Sequence, residues 1–331
     1  MKKGTTRYIW VKNRLKGLSA DISWAFGNHS KVKKATGARI FLYHGVCKAE
    51  PLRYNTLFVT IKKLEAQLQL YKKYFNIISL EDFYSRNFHP DRFNMCLSFD
   101  DGFANNLKYV LPLLEKYQLP ASFFITGIRE AGYDILWNDA LSIAHKHGPP
   151  KILLMQEEFI RGKDGRYVSV KGSELLIDKL RKSGFDKKKE FLESFMSLKL
   201  NANSDYWIQM NVEEIRELSS SKWVTIGSHG YYHNDLAQIS IADAKEELVK
   251  SKKNLENIIG KKVDALAFPY GSYSPEVVNE AKTCGFTKIL ATDFLFSSDA
   301  KDTTMRERLT INPFISNINQ LHAGIRGKYK A

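Results

Sequence analysis

The stretch Asn94-Met95-Cys96-Leu97-Ser98-Phe99-Asp100-Asp101-Gly102 runs from a short apolar segment directly into two carboxylates and a glycine. A run of this length, stopped by turn-forming residues, reads as a buried strand whose end carries reactive groups. The same unit recurs on both sides of it. Candidate strands lie at Arg39 to Tyr43, Asn76 to Ser79, Ala121 to Ile125, Trp223 to Ser228, Asp264 to Phe268, Lys288 to Ala291 and Leu309 to Asn312. Helical stretches separate most of them. Leu57, Ile61, Leu64, Leu68, Tyr71 and Phe75 form one apolar stripe, and another helix opens at Ser240 with Asp243 three residues on and continues through Ala244, Leu248, Leu255 and Ile258. Strands alternating with amphipathic helices predict an α/β fold, either a barrel or a doubly wound sheet.

Two regions break the rhythm. From about Tyr133 to Ser221 the sequence turns charged, with Lys179, Arg181, Lys182 and Lys187 to Lys189, and reads as a helical insertion. Residues 1 to 38 form a basic extension, in which nine Lys and Arg face the single acid Asp21 among Trp10, Leu15, Leu18, Ile22 and Trp24. A leader helix packed on the main domain is the expected form, and lying on anionic lipid headgroups is the alternative. The expected division is therefore 1–38 as extension and 39–331 as the main domain, with the insertion inside it.

Composition narrows the function classes. The 331 residues are 44% apolar and 26% charged, which suits a globular chain long enough to bury a large core. Cys47, Cys96 and Cys284 are odd in number and far apart, so neither a disulfide framework nor a cysteine zinc cluster is expected. No run approaches the roughly 18 apolar residues of a membrane span. The first residues lack the apolar block of a secretory signal, so the expected compartment is the cytoplasm, with peripheral attachment to the inner face of a membrane as its variant. A net charge of +14 favours an anionic partner such as nucleic acid, an anionic membrane or an acidic glycan. The positive charge is dispersed and no helix-turn-helix or RNP pattern occurs, so no specific nucleic acid is expected. GxGxxG and GxxxxGK[ST] loops are also absent, which argues against a nucleotide cofactor.

Four strand ends carry the chemistry. Asp100 and Asp101 point in different directions, so one can serve a metal and the other a proton. In Gly227-Ser228-His229-Gly230-Tyr231-Tyr232-His233 two histidines four apart can face one ion, although the Glu of HExxH is missing. Phe268-Pro269-Tyr270-Gly271 is a turn that offers its backbone, an N–H able to donate to a developing oxyanion. Leu42-Tyr43-His44-Gly45 places another histidine where a strand stops. Together, Asp101, His229 and His233 make one oxygen and two nitrogens for a borderline divalent ion such as zinc, with positions left for water and substrate. Asp100 would take a proton from that water, and a histidine opposite would deliver one to a departing amine. That combination describes amide hydrolysis.

The order FDDG, HxxxH, Phe-Pro-Tyr-Gly resembles the metal-dependent polysaccharide deacetylases of carbohydrate esterase family 4, over about Arg39 to Asn312. The resemblance implies an irregular (β/α)7–8 barrel with its metal site at the C-terminal end of the strands, acting on N- or O-acetylated sugars. It implies Asp100 as general base, Asp101, His229 and His233 as metal ligands and the Tyr270 amide as oxyanion donor. The late Leu-x-His motif of the family corresponds poorly to Gln320-Leu321-His322. Leu42-Tyr43-His44 fits better, in the permuted order of the poly-N-acetylglucosamine deacetylases, and makes His44 the expected general acid. Two departures stand out. Gly230 replaces the usual Ser or Thr after the first histidine, a hydroxyl that would brace the loop. The Arg that orients the base is absent before Phe268, which leaves Arg308 as the candidate for that charge. Tyr43, Trp137, Tyr231 and Tyr273 suit either sugar stacking or packing of the barrel rim.

The expected function is removal of N-acetyl groups from an amino sugar in a polysaccharide or glycan precursor. A small-molecule amidohydrolase on the same barrel is the nearest enzyme alternative. A glycan-binding protein that has lost the reaction is the alternative from another class, motivated by the missing Arg and by Gly230.

Overall fold

The computed structural model describes residues 21–27, 29–198 and 204–329. Eight parallel strands form one sheet: β1 (Ala38–Tyr43), β2 (Asn76–Ile78), β3 (Asn94–Phe99), β4 (Ala121–Ile125), β5 (Val224–Ser228), β6 (Ala265–Ala267), β7 (Lys288–Ala291) and β8 (Met305–Thr310). All eight sequence-predicted strands are present, most within a residue or two at each end. The largest shift is at β8, which starts four residues earlier because Met305 and Arg306 pair with Ile289 and Leu290.

The strand order is β1-β8-β7-β6-β5-β4-β3, and β3 pairs back onto β1 with Tyr43 opposite Phe99. Seven strands thereby close a barrel. β2 lies outside the closure, paired with the first half of β3, while Ser98 and Phe99 pair with β4. Every residue of β3 is buried, as expected for a parallel strand covered on both faces. Ile40, Cys96, Phe124, Ala265, Ala267 and Leu290 cluster in one layer, whereas Phe41, Leu97, Phe123 and Leu266 pack in another with the surrounding helices.

Helix α1 (Ile61–Tyr74) buries Leu64, Leu68 and Tyr71 as the stripe predicts. Leu57 falls outside it, because the Thr60 hydroxyl accepts from the Lys63 N–H and caps the helix there. Between β4 and β5 the expected helical insertion has a more mixed structure. Helix α2 (Trp137–His147) leads into a three-stranded antiparallel sheet (Lys151–Leu154, Glu157–Arg161, Tyr167–Ser169), followed by the short helix Leu176–Arg181 and by α3 (Phe185–Ser197). The sheet escaped the sequence pattern because its outer face carries the exposed Leu153 and Ile160 beside Lys151 and Glu158, which blurs the alternation of a half-buried strand. Its inner face, with Leu154, Phe159 and Tyr167, joins Trp137, Leu176, Leu180, Phe191 and Leu192 in a second apolar core.

After β5, helix α4 (Ile241–Ile259) starts at Ser240, whose hydroxyl accepts from the Asp243 N–H and donates to the Asp243 carboxylate. Helix α5 (Asn317–Arg326) packs on α1 and β1. Of the N-terminal extension, residues 1–20, including Trp10, Leu15 and Leu18, lie outside the described residues. Its described end docks on the domain. Asp21 accepts from Ser316 and Asn319, and Trp24 stacks on His29 against Tyr74 and His322. Among the described residues no helix is long and apolar enough to cross a membrane, and the three cysteines are free.

Candidate metal centre

Because all barrel strands are parallel, their C-terminal ends meet at one end of the barrel, and the four chemistry-bearing segments meet there. Asp100 follows β3 and its N–H donates to the Tyr43 carbonyl at 3.0 Å, which sets it beside His44 at the end of β1. Arg308 closes on it from β8. Its Nη1 and Nη2 donate to Asp100 Oδ1 and Oδ2, each at 2.7 Å, in a bidentate pair that is almost wholly buried. The register Ile40↔Arg308 shows how it arrives, since Arg308 shares its level with an interior residue of β1 and lies over Phe124.

Asp101 takes φ +77°, a left-handed conformation that Asp tolerates better than most residues, and both carboxylates face His229, whose Nε2 lies 3.8 Å from Asp100 Oδ2. Asp101 Oδ1 lies 3.4 Å from His229 Nε2 and 3.3 Å from His233 Nε2. One ligand atom from each of these three buried residues lies within 4.8 Å of the others. His229 Nδ1 donates to the Ala267 carbonyl at 2.8 Å, which fixes the ring and leaves Nε2 as the nitrogen that faces the cluster, a donor to Asp101 when protonated and a ligand when not. His233 Nδ1 is 3.0 Å from the Tyr270 hydroxyl, the corresponding support for the second ring. An anionic oxygen and two imidazole nitrogens, each imidazole backed on its far side, form a donor set that fits a divalent ion such as zinc.

The protonation states follow from burial and mutual charge. Burial pushes the Asp101 carboxyl up, but hydrogen bonds from His229 and His233 and the nearby His44 outweigh it and hold the group well below the usual carboxylate range. Burial depresses His229 too, yet Asp100 and Asp101 overcome it and raise this imidazole. In His233 and His44 burial prevails, and both are lowered despite the carboxylates facing them. His44 Nδ1 is a buried nitrogen without a hydrogen-bond partner among the described residues. His322 lies elsewhere, on α5 with its ring against Trp24, so the structure brings His44 and not His322 to the carboxylate pair.

Tyr270 offers more than the backbone read from the sequence. Its φ of +61° turns the residue over, and its ring lies between Trp137 and the Arg181 guanidinium with the hydroxyl on His233. Tyr43, Trp137, Tyr231 and Tyr273 are buried, so packing and not exposed sugar stacking is their role in this structure.

Gly230 does leave the loop without a hydroxyl, but Glu247 of α4 braces it instead. Glu247 Oε1 accepts from the N–H groups of Tyr231, Tyr232 and Asn234, and Oε2 accepts from Asn234 Nδ2. A Cβ at Gly230 would stand 2.7 Å from Glu247 Oε1, and the residue has φ +74°. Glycine is therefore the residue that admits this carboxylate. Glu247 escaped the sequence reading although a signal existed: it sits within the apolar stripe of Ala244, Leu248 and Leu255. Asp139 on α2 was also missed. It is buried, its Oδ2 has no hydrogen-bond partner among the described residues, and burial followed by the Asp101 charge pushes its carboxyl well above the usual range.

Residues 89–156 and 200–289 match the family model described as polysaccharide deacetylase. The YxkH protein of Bacillus subtilis (strain 168), assigned by name to the polysaccharide deacetylases, is 18% identical over 290 residues, which cover 86% of this chain and 75% of that protein. Among solved structures, the Streptococcus pyogenes deacetylase PplD in complex with acetate superposes with a TM-score of 0.58 at 18% identity, covering 88% of this chain and 99% of that one. IcaB from Ammonifex degensii superposes with a TM-score of 0.53 at 15% identity, covering 88% and 98%. At these identities the structural likeness establishes a common fold. Residues 157–199, outside the family match, comprise most of the inserted sheet, the helix Leu176–Arg181 and α3.

Proposed function

Since this chain belongs to the polysaccharide deacetylase family, we propose that it hydrolyses the N-acetyl group of an amino sugar in a polysaccharide or glycan precursor. In this reading Asp101, His229 and His233 hold a divalent ion, zinc in the first place. Bound there, such an ion supplies Lewis acidity toward the amide carbonyl and acidifies water. The chain's own residues do the rest. Asp100, with both oxygens fixed by Arg308 but lone pairs to spare, accepts the proton of the attacking water. His44, beside it at the end of the neighbouring strand, carries a proton to the departing amine. The left-handed turn at Tyr270 presents its N–H to the developing oxyanion, a contribution of roughly 3 kcal/mol where such donors have been removed elsewhere.

The observation that carries this reading is the convergence of three metal-type ligand atoms beside a second carboxylate held by an arginine fork. The acetate in the S. pyogenes structure is the product that the proposed reaction releases. A binding protein without activity is less favoured, because its two motivations have structural answers: Arg308 supplies the missing charge, and Glu247 the missing brace. The test is acetate release from N-acetylglucosamine oligomers, nucleotide sugars and simple N-acyl amides, with and without a chelator. Chelator-sensitive release from the oligomers, lost in Asp100→Asn, is expected. Chelator-insensitive release overturns the metal role, release from simple amides alone favours the small-molecule amidohydrolase, and tight glycan binding by the metal-loaded protein with no measurable change in Asp100→Asn, in acetate release as in binding, favours the binding protein.

A further inference from the structure

Three consecutive residues at the end of the histidine loop are each gripped by a different residue from the segment between β4 and β5. The Trp137 Nε1–H donates to the His233 carbonyl at 3.4 Å, Lys188 Nζ donates to Asn234 Oδ1 at 2.6 Å, and Arg181 Nε donates to Asp235 Oδ2 at 2.7 Å. Arg181 and Lys188 come from the part outside the family match. We propose that this segment is a clamp on the His233 side of the metal centre, with Lys188 as a positioning residue that acts through Asn234. The proposal rests on the reading of Asp101, His229 and His233 as metal ligands.

The chemistry of the Asn234 side chain supports it. Oδ1 receives the Lys188 ammonium while Nδ2 donates to Glu247, so the amide bridges a buried cation and a buried carboxylate, and the two partners together fix which way it faces. Glu247 in turn holds the backbone N–H groups of Tyr231, Tyr232 and Asn234, which flank His233. Lys188 is fully buried, against the Trp137 ring and the Ser183 carbonyl. A solvent-facing lysine would serve the packing of α3 as well. A desolvated ammonium is costly unless its partners need it, and the partner here adjoins a metal-type ligand. His233 holds φ +55°, a conformation that depends on its surroundings.

The test compares Lys188→Met, which keeps the length of the side chain and removes the charge, with the full-length wild type by amide hydrogen exchange. Exchange at Tyr231, Tyr232 and Asn234 is expected to rise tenfold or more while β1, β3 and β5 stay unchanged. Exchange within twofold of wild type at those amides, or a rise spread equally over the barrel, overturns the clamp. Asn234→Ala cuts the same link from the other side and gives the same local pattern, so the inference stays testable if Lys188→Met fails to fold. Zinc affinity, measured by competition with a chromogenic chelator, is expected to fall about tenfold in either variant, in line with losses of supporting partners at other metal sites. Unchanged affinity counts against the clamp. A wild type that binds no zinc overturns the metal reading, and the exchange result then decides the clamp alone.

Discussion

Replacing Arg308 by methionine leaves Asp100 without its guanidinium partner in a buried pocket, with only the His229 imidazole, 3.8 Å away, to offset its charge. The two side chains are 1% and 3% exposed and share two hydrogen bonds of 2.7 Å, so solvent does little to screen the loss. An exposed pair of this kind is worth about 0–1 kcal/mol. Breaking a buried one by removing a single partner costs about 3–5 kcal/mol, because the remaining charge stays desolvated. In a chain of this length 1 kcal/mol moves the unfolding midpoint by roughly 2 °C, so Arg308→Met is expected to melt roughly 6–10 °C below wild type. Its kcat is expected to drop about a hundredfold as the base loses its orientation. Arg308→Lys restores a charge without the fork and falls between the two. The double variant Asp100→Asn, Arg308→Met removes both charges and recovers most of the stability while staying inactive. Thermal and urea unfolding of wild type, Asp100→Asn, Arg308→Met and the double variant measure the cycle. An Arg308→Met protein within about 1 kcal/mol of wild type, or a double variant as unstable as the sum of the singles, refutes the reasoning.

His44→Gln is expected to lower kcat by about 10²- to 10⁴-fold with zinc affinity retained, whereas His322→Gln leaves kcat unchanged; steady-state kinetics on the two variants checks the assignment. Gly230→Ala forces a Cβ into Glu247 Oε1 at a left-handed backbone and is expected to cost about 1–3 kcal/mol, read by urea unfolding, together with weaker zinc binding. Lys188 has its ammonium pushed down to about 8, first by burial, against 10.5 in the open chain. Below pH 8 the folded protein carries that penalty in full, at about 1.4 kcal/mol per pH unit of difference. Between pH 8 and 10.5 the unfolded chain binds more protons, so stability rises with pH. Relative to Lys188→Met, the wild type should therefore gain roughly 3 kcal/mol from pH 7 to pH 10.5, measured on apo protein by urea unfolding, and a flat difference contradicts the burial of the charge.

The strands were legible because a closed parallel barrel asks one simple thing of each, a short apolar run, and the residues at their ends mark where the chain leaves the core. Asp101, His229 and His233 were legible for the same reason, since each lies just past a strand that had already been read. What escaped were polar residues whose partners are remote in sequence. Glu247 and Lys188 each occupy a position that helical spacing assigns to the core: Glu247 beside Ala244 and Leu248, Lys188 beside Phe191 and Leu192. A charge at such a position must find a partner inside. That rule flags both residues without a structure, although it does not name the partner. The inserted sheet was hidden by the opposite irregularity, apolar residues on a solvent face.

Arg308 shows why motif spacing alone reads this site incompletely. The sequence pattern expects the orienting arginine on the segment before Phe268, yet the guanidinium arrives from β8. Nothing in the chemistry requires either strand. Asp100 needs two donors in a fork at one point in space, and β8 pairs with β1, which pairs with β3, so an interior side chain of β8 reaches across β1 to the end of β3. The brace beneath the histidine loop follows the same logic, with a carboxylate on α4 taking the place of a hydroxyl on the loop. In both cases the function is fixed by where the barrel brings a group, while the strand or helix that supplies it is free to vary. A missing motif residue is thus weak evidence for lost activity until the facing interior positions have been inspected. Here those positions hold the charge and the hydrogen-bond acceptor that the motif lacks.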